Sequence, residues 1–252
     1  MIDLRLGRWQ DTLADVTTCD AVICDPPYSA RTHEGSDAGV KRTSDGGYRQ
    51  EIGYAWLTPD NVRAFVAAWA PRCTGWMCAM TDDVLSPVWR SAFADAGRYD
   101  FAPVPILQHR VRMSGDGPGS GAVYMLVSRP REARFMGWGS LPCWYMSHPE
   151  KGEVMGAKPL GLMRAIVRDY SRPGDLIVDP FCGSGTTALA AASEGRRCIT
   201  SEELPAHHEI ARPLRAADAG DAQRPGGMGC GAWRCQSLTS SVSFWRFLAQ
   251  CL

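Results

Sequence analysis

Four consecutive residues, Asp25-Pro26-Pro27-Tyr28, place a carboxylate, a rigid turn and an aromatic ring at one point of the chain. They follow a short apolar run at residues 21–24, which is typical of a buried parallel strand. The strand must end there because proline cannot donate a hydrogen bond to a neighbouring strand. Ligands of open α/β sheets bind at the carboxyl ends of the strands, so the tetrapeptide lies where a site is expected.

The tetrapeptide suits one kind of chemistry, the activation of an aromatic amino group. The nitrogen of such a group is a poor nucleophile because its lone pair is delocalised into the ring. The carboxylate of Asp25 and the main-chain carbonyl of Pro26 can each accept one N–H, which favours a pyramidal nitrogen with a localised lone pair. The prolines fix the direction of that carbonyl because their φ is locked. Tyr28 offers a stacking surface for a flat base that has left a duplex.

A second motif, Asp179-Pro180-Phe181-Cys182-Gly183-Ser184-Gly185-Thr186, follows a predicted strand at residues 176–178 and opens a predicted helix. A strand, a glycine loop and a helix in this order are typical of a nucleotide-binding turn. Glu202 ends the next predicted strand, 19 residues after Gly183, where a carboxylate can accept hydrogen bonds from ribose hydroxyls. The sequence lacks the G-x-x-x-x-G-K-[ST] pattern, which argues against a phosphate-gripping ATPase loop.

Strands and helices alternate around these two motifs. The predicted strands occupy residues 2–6, 21–24, 76–80, 104–107, 122–127, 176–178 and 198–200. The predicted helices start at Thr58-Pro59 and Ser86-Pro87, each with a hydroxyl residue as N-cap, or occupy residues 159–170, 186–194 and 205–216. The alternation predicts an α/β fold, a Rossmann-like, doubly wound and mainly parallel sheet with helices on both faces.

One domain at residues 1–217 is expected, followed by a poorly ordered or peripheral tail at 218–252. Residues 29–55 are polar and lack a period, which indicates a mobile active-site loop. Residues 108–157 leave room for a small target-recognition region. Part of that region is rich in arginine, and contact with phosphates is the role we expect for most of its arginines, which are Arg110, Arg112, Arg129, Arg131 and Arg134. Gln108, Arg110 and Arg112 also suit the edges of adenine and guanine.

Composition narrows the class of protein. The chain has 252 residues, of which 45% are hydrophobic and 21% charged, with a net charge of zero. We expect a protein without a membrane span or a signal peptide. Its ten cysteines form no C-x-x-C pair, and the two closest clusters, Cys73/Cys78 and Cys230/Cys235, have no histidine nearby, so neither a zinc site nor a disulfide framework is indicated. Reduced cysteines favour the cytoplasm.

The two motifs together resemble those of DNA amino-methyltransferases of the permuted, beta-type order, in which D-P-P-Y precedes F-x-G-x-G-T. The order is informative because protein-glutamine and many RNA adenine methyltransferases carry the cofactor loop before a similar tetrapeptide. Lys158-Pro159, before the predicted helix, resembles the family's motif on the methionine side of the cofactor. The resemblance covers residues 1 to about 216. It implies the class I methyltransferase fold, S-adenosylmethionine as cofactor, DNA as substrate and no metal.

The resemblance also implies roles for individual residues. The catalytic set that binds the target base is Asp25, Pro26, Pro27 and Tyr28. The cofactor set comprises Asp179, Phe181, Gly183, Ser184, Gly185, Thr186, Glu202, Lys158 and Pro159. Asp11 is a further candidate, because Gln10-Asp11 stands where the family often has a Gly-Asp pair near the cofactor's adenine.

The family's aspartate goes with adenine and a serine with cytosine N4, so Asp25 favours methylation of adenine N6. Three alternatives stay open: the same chemistry on cytosine N4, a catalytically silent DNA-binding protein with this fold, and an RNA substrate. The resemblance places the protein in the cytoplasm of a bacterial or phage-infected cell, and a cognate restriction enzyme is a candidate partner. The recognition sequence and the oligomeric state are left open by these patterns.

Overall fold

A computed structural model describes residues 1–32, 55–109, 116, 118–132, 138–148 and 157–213. All of them belong to one compact unit, Met1–Ala222. Most of the predicted loop at 29–55 and the whole tail at 218–252 lie outside the described residues. So do three of the arginines expected to contact phosphates, Arg110, Arg112 and Arg134.

Nine strands of the described residues form one sheet in the order β1-β9-β8-β2-β3-β6-β5-β7, with β4 paired to β6. Every neighbouring pair is parallel except those that involve β6, which runs antiparallel to β3, β4 and β5. The strands are β1 (Ile2–Leu6), β2 (Cys19–Cys24), β3 (Cys73–Thr81), β4 (Arg98–Asp100), β5 (Val104–Gln108), β6 (Ala122–Pro130), β7 (Tyr145–Ser147), β8 (Leu176–Asp179) and β9 (Arg197–Glu202).

The described ranges contain six helices, five between strands and one after the last strand. They are α1 (Trp9–Thr12), α2 (Pro59–Trp69), α3 (Ser86–Asp95), α4 (Leu160–Tyr170), α5 (Thr186–Ser193) and α6 (Pro205–Ala211). Helix α2 starts as predicted, with Thr58 and Asn61 in a reciprocal capping box and Pro59 in the first turn. The prediction for α3 was wrong in one detail. Leu85, not Ser86, precedes the helix, and its N–H donates to the carboxylate of Asp82 at 3.0 Å.

The two faces of the sheet are covered by different helices. Buried residues of α4, α5 and α6, such as Ile166 and Ala190, pack on one face. Buried residues of α2 and α3, such as Phe65 and Trp89, pack on the other. The predicted doubly wound, mainly parallel sheet is confirmed, and the buried parallel strands explain the nearly continuous apolar runs.

Strands β2 and β8 are neighbours, and the chain leaves them in opposite directions. From β2 it crosses through α2 to β3, whereas from β8 it crosses through α5 to β9. A crevice opens at such a switch point, outside the carboxyl ends of the two strands. Asp25 directly follows β2, and Asp179 is the last residue of β8, so the fold brings both sequence motifs to this crevice. No helix in the described part of the chain is long and apolar enough to cross a membrane.

Candidate active site

Asp25 is held by two neighbours at the carboxyl end of β2. The hydroxyl of Tyr28 donates a hydrogen bond to Asp25 Oδ1 at 3.0 Å. The ammonium of Lys158 forms a close ion pair with Asp25 Oδ2. The side chains of Lys158 and Asp25 are only 16% and 23% exposed, so water screens the pair less than it would at the surface.

Lys158, which the resemblance assigned to the methionine side of the cofactor, lines the same cavity as the glycine loop and also contacts the tetrapeptide. It stands two residues before α4, and Pro159 caps that helix. Its Nζ lies 5.2 Å from the centre of the Tyr28 ring, within the range of a cation–π contact. The nitrogen therefore contacts both functional groups of the tetrapeptide. The separation of 133 residues between Lys158 and Asp25 gave no sequence signal of this pairing.

Asp82, which the sequence did not single out, fixes the chain that follows the tetrapeptide. Its Oδ2 accepts hydrogen bonds from the N–H and the hydroxyl of Ser29 and from the hydroxyl of Thr32. Burial alone would raise the pKa of Asp82, but these hydroxyl groups and the N–H groups of Ser29 and Leu85 lower it below its usual value. The position of Asp82 two residues after the predicted strand at 76–80, at the same edge of the sheet as Asp25, could have indicated it from the sequence.

The glycine loop after β8 is closed by Glu202 at the end of β9. The N–H of Gly183 donates to Glu202 Oε2 at 2.7 Å, and the N–H of Leu204 donates to Oε1 at 2.9 Å. Gly183 and Gly185 have φ of +55° and +82°, a conformation that other residues adopt only under strain. Burial raises the pKa of Glu202, which the two N–H groups partly oppose.

Asp179 is buried beneath this loop. Its Oδ1 accepts the N–H of Phe181 at 3.1 Å, which fixes the first turn after β8. Burial raises the pKa of Asp179 to about 7, against the effect of its hydrogen bonds to Thr187 and Phe181. The negative charges of Asp25 and Glu202 raise it further. The carboxyl groups of Asp25, Asp179 and Glu202 therefore lie close enough to influence one another, the first partly buried and the other two buried.

A cavity of about 350 Å³ connects the two motifs. Many of the predicted site residues line it: Asp25, Pro27, Lys158, Phe181, Gly183, Ser184, Thr186 and Glu202. Five other predicted site residues do not line the cavity in the described part of the chain. Three of them are buried, namely Pro26, Asp179 and Gly185, and two are partly buried, namely Tyr28 and Pro159. Asp11 is exposed and outside the lining as well, whereas its neighbour Gln10 lines the cavity together with Trp9. Trp9 and Gln10 were not predicted, although the signal lay beside Asp11.

The described residues of the predicted recognition region lie in two places. Gln108 and His109 are at the carboxyl edge of the sheet, and the His109 ring lies 5.5 Å from that of His148. Arg129 and Arg131 lie at the opposite edge, because β6 runs in reverse, and their guanidinium groups stack on the ring of Tyr99 at 5.0 and 6.0 Å. Of the predicted phosphate contacts, these two arginines are therefore remote from Asp25.

The chain matches the family model of N6/N4 DNA methylases over residues 80–213, just over half of its length. Type II methyltransferase M.BglI of Bacillus subtilis is 38% identical over 74 residues, which are 29% of this chain and 21% of that relative. The matched segment thus spans about a fifth of the relative's length.

Two solved structures share the fold. The M1.HpyAVI–SAM complex superposes with a TM-score of 0.64 and 19% identity, covering 86% of this chain and 99% of the other. The cytosine-N4-specific PvuII DNA methyltransferase gives a TM-score of 0.58 and 14% identity, with 84% and 85% covered. The predicted class I methyltransferase fold is confirmed. With the family model matched over more than half of the sequence, the chain belongs to the DNA methylase family of N6- and N4-methyltransferases.

Proposed function

We propose that this protein transfers a methyl group from S-adenosylmethionine to the N6 amino group of adenine in DNA. One observation carries the proposal. The tetrapeptide that suits activation of an aromatic amino group and the loop that suits a nucleoside cofactor lie at the ends of adjacent strands and share one cavity.

The lining of the cavity fits S-adenosylmethionine. Its volume is in the range of small-molecule sites. Glu202, 8% exposed, keeps acceptor capacity for ribose hydroxyls beyond the two N–H groups that it binds. A Cβ on Gly183 would meet no atom within 4 Å, so the loop leaves open space beside its backbone. When bound, the sulfonium supplies an electrophilic methyl group that needs no metal.

The tetrapeptide would hold the amino group of the base. Asp25 accepts one N–H and takes up the proton that the nitrogen releases once it is methylated. The carbonyl of Pro26, whose direction the proline rings fix, accepts the other N–H. Tyr28 orients the carboxylate through its hydroxyl at 3.0 Å and presents its ring to the base. The nitrogen's lone pair is then directed into the cavity, and catalysis rests on positioning.

Adenine is the proposed target because an aspartate opens the tetrapeptide. Cytosine N4 is the second candidate, favoured by the fold shared with the cytosine-N4-specific PvuII DNA methyltransferase. The two substrates present the same chemical group, a planar exocyclic amine, so the described geometry suits both.

Sequencing of modified bases in DNA from cells that express this chain tests the proposal. N6-methyladenine at a defined sequence, absent from cells that express Asp25→Ala, is the expected result. If N4-methylcytosine is found at a defined sequence instead, the target is cytosine N4, the second candidate. Unmodified DNA, together with no transfer of tritiated methyl groups to DNA in vitro, would overturn the proposed function, and label found in RNA instead would identify an RNA enzyme.

A further inference from the structure

The ammonium of Lys158 occupies the place that the proposed function gives to the target base. It donates to Asp25 Oδ2, the carboxylate that would accept the base's N–H, and it lies against the Tyr28 ring that would stack on the base. One side chain thus satisfies a hydrogen-bond acceptor and an aromatic face together.

A partly buried carboxylate needs such a partner. Leaving it without a donor costs free energy, because the lost hydration is not replaced. Tyr28 supplies one donor to Oδ1, and Lys158 supplies the donor to Oδ2. A lysine suits an exchangeable role, since its ammonium is a point charge on a long flexible stem. Lys158 can therefore withdraw its side chain while Pro159 and α4 stay in place.

We propose that Lys158 is a stand-in for the target amino group, which the flipped base must displace from Asp25 and Tyr28; this inference rests on the proposed function. A base with an exocyclic amine replaces the lost N–H donor and the ring contact one for one. Thymine is a poor replacement, because it has no exocyclic amine and its only Watson–Crick donor, the ring N3–H, is flanked by two carbonyl oxygens that the Asp25 carboxylate would repel. Adenine must therefore displace Lys158, whereas a duplex with thymine at the target position leaves the ammonium on Asp25, because only the amine replaces the donor that the carboxylate would lose.

Solution NMR of the full chain tests the exchange directly. The sequence has only three lysines, Lys41, Lys151 and Lys158, so selective ¹⁵N-lysine labelling gives a simple ammonium spectrum. The Lys158 signal is identified by its loss in Lys158→Arg. It is expected to shift in Asp25→Ala and when a duplex with the target adenine is added, but not with the same duplex carrying thymine there. If the chemical shift of the Lys158 ammonium changes neither in Asp25→Ala nor on addition of the adenine duplex, the proposal is overturned.

Binding measurements give a second readout that a merely structural role would not move. Lys158→Met removes the competing ammonium, so the affinity ratio of the adenine duplex to the thymine duplex should rise about tenfold, the factor for one hydrogen bond to a charged group. Lys158→Arg keeps a cationic donor and should keep the wild-type ratio. If Lys158→Met loses affinity for both duplexes equally, Lys158 is a general DNA contact and the stand-in role is wrong. If a methylation site is found and the ratio is unchanged, the stand-in role fails while the proposed function stands.

Discussion

Single residues of the site act through paired contacts, and Asp25 shows this most directly. Its carboxylate is oriented by a hydroxyl on one oxygen and an ammonium on the other. In the proposed mechanism the carboxylate faces the base, and Glu202 and the glycine loop, which line the same cavity, face the cofactor. Base binding and cofactor binding can therefore be separated by substitution.

Asp25→Ala should lower methyl transfer by at least about 100-fold, the scale on which a positioned acid or base contributes. Calorimetry should show the affinity for S-adenosylhomocysteine within about twofold of wild type, because no loop contact is lost. Asp60→Ala is a matched control, since that carboxylate is 93% exposed. Methyl transfer by Asp25→Ala near the wild-type rate would disprove the proposed role of the carboxylate.

Asp179 makes stability depend on pH. Its pKa is raised to about 7 from a usual value of 3.8, so between these values the folded protein binds more protons than the unfolded chain. The free energy of unfolding should therefore fall as the pH rises through this window and level off above it. Asp179→Asn keeps an oxygen for the N–H of Phe181 and should remove that part of the slope. Urea unfolding at about pH 5 and about pH 8 measures it, and equal slopes in both proteins would contradict the assignment.

Among the elements, the turn between β8 and α5 depends on glycine for its conformation and for its open side. Gly183 has φ of +55° and lines the cavity, whereas Gly195, after α5, has φ of +78° and does not. A Cβ meets no atom within 4 Å at either position, so alanine introduces backbone strain without a steric clash in both.

Gly183→Ala and Gly195→Ala should each lower the free energy of unfolding by about 1–2 kcal/mol, the cost of the left-handed conformation. Only Gly183→Ala should also lower the affinity for S-adenosylhomocysteine, because the methyl group of the alanine enters the space that the loop leaves open for the cofactor. Calorimetric titration of both variants makes the comparison. Equal cofactor affinity in the two would show that the loop does not contact the cofactor.

Asp82 links the end of β3 to the segment that follows the tetrapeptide. Asp82→Asn removes a charged acceptor shared by Ser29 and Thr32, and should lower the free energy of unfolding by about 1.5–3 kcal/mol. The KM for DNA should rise because Asp82 holds Ser29, the residue that follows Tyr28, and the position of the Tyr28 ring would become less fixed. Asp83→Asn, at a side chain 68% exposed, is the control and should behave as wild type. Identical melting temperatures and KM values for the two variants would leave Asp82 without this role.

Local patterns predicted the elements that hold the site, and long-range contacts account for what was missed. The apolar runs of β2 and β8 and the Thr58-Pro59 start of α2 are recognisable within a few residues. Strand β4 has only three residues, Arg98–Asp100, and exists because β6 offers it a partner. The Lys158–Asp25 pair is equally invisible in sequence, since it depends on how α4 is packed against the sheet.

For the whole molecule, the described sheet is covered on both faces by helices from within residues 1–213. The predicted tail, 218–252, follows the last described helix and lies outside the described residues. Its sequence has no acidic residue after Asp221 and contains the aromatic residues Trp233, Phe244, Trp245 and Phe247. We expect this composition to promote association between molecules in solution.

A chain that ends at Ala217 should therefore fold, melt within about 2 °C of the full chain and methylate DNA at the same rate, because it retains both motifs and every described element. Light scattering should show less association, because the aromatic residues are gone. The matched control is the full chain with Trp233, Phe244, Trp245 and Phe247 changed to serine, which keeps the length and removes the apolar surface. If truncation lowers the melting temperature by several degrees or abolishes most of the activity, the tail contributes to the fold or to an interface between copies.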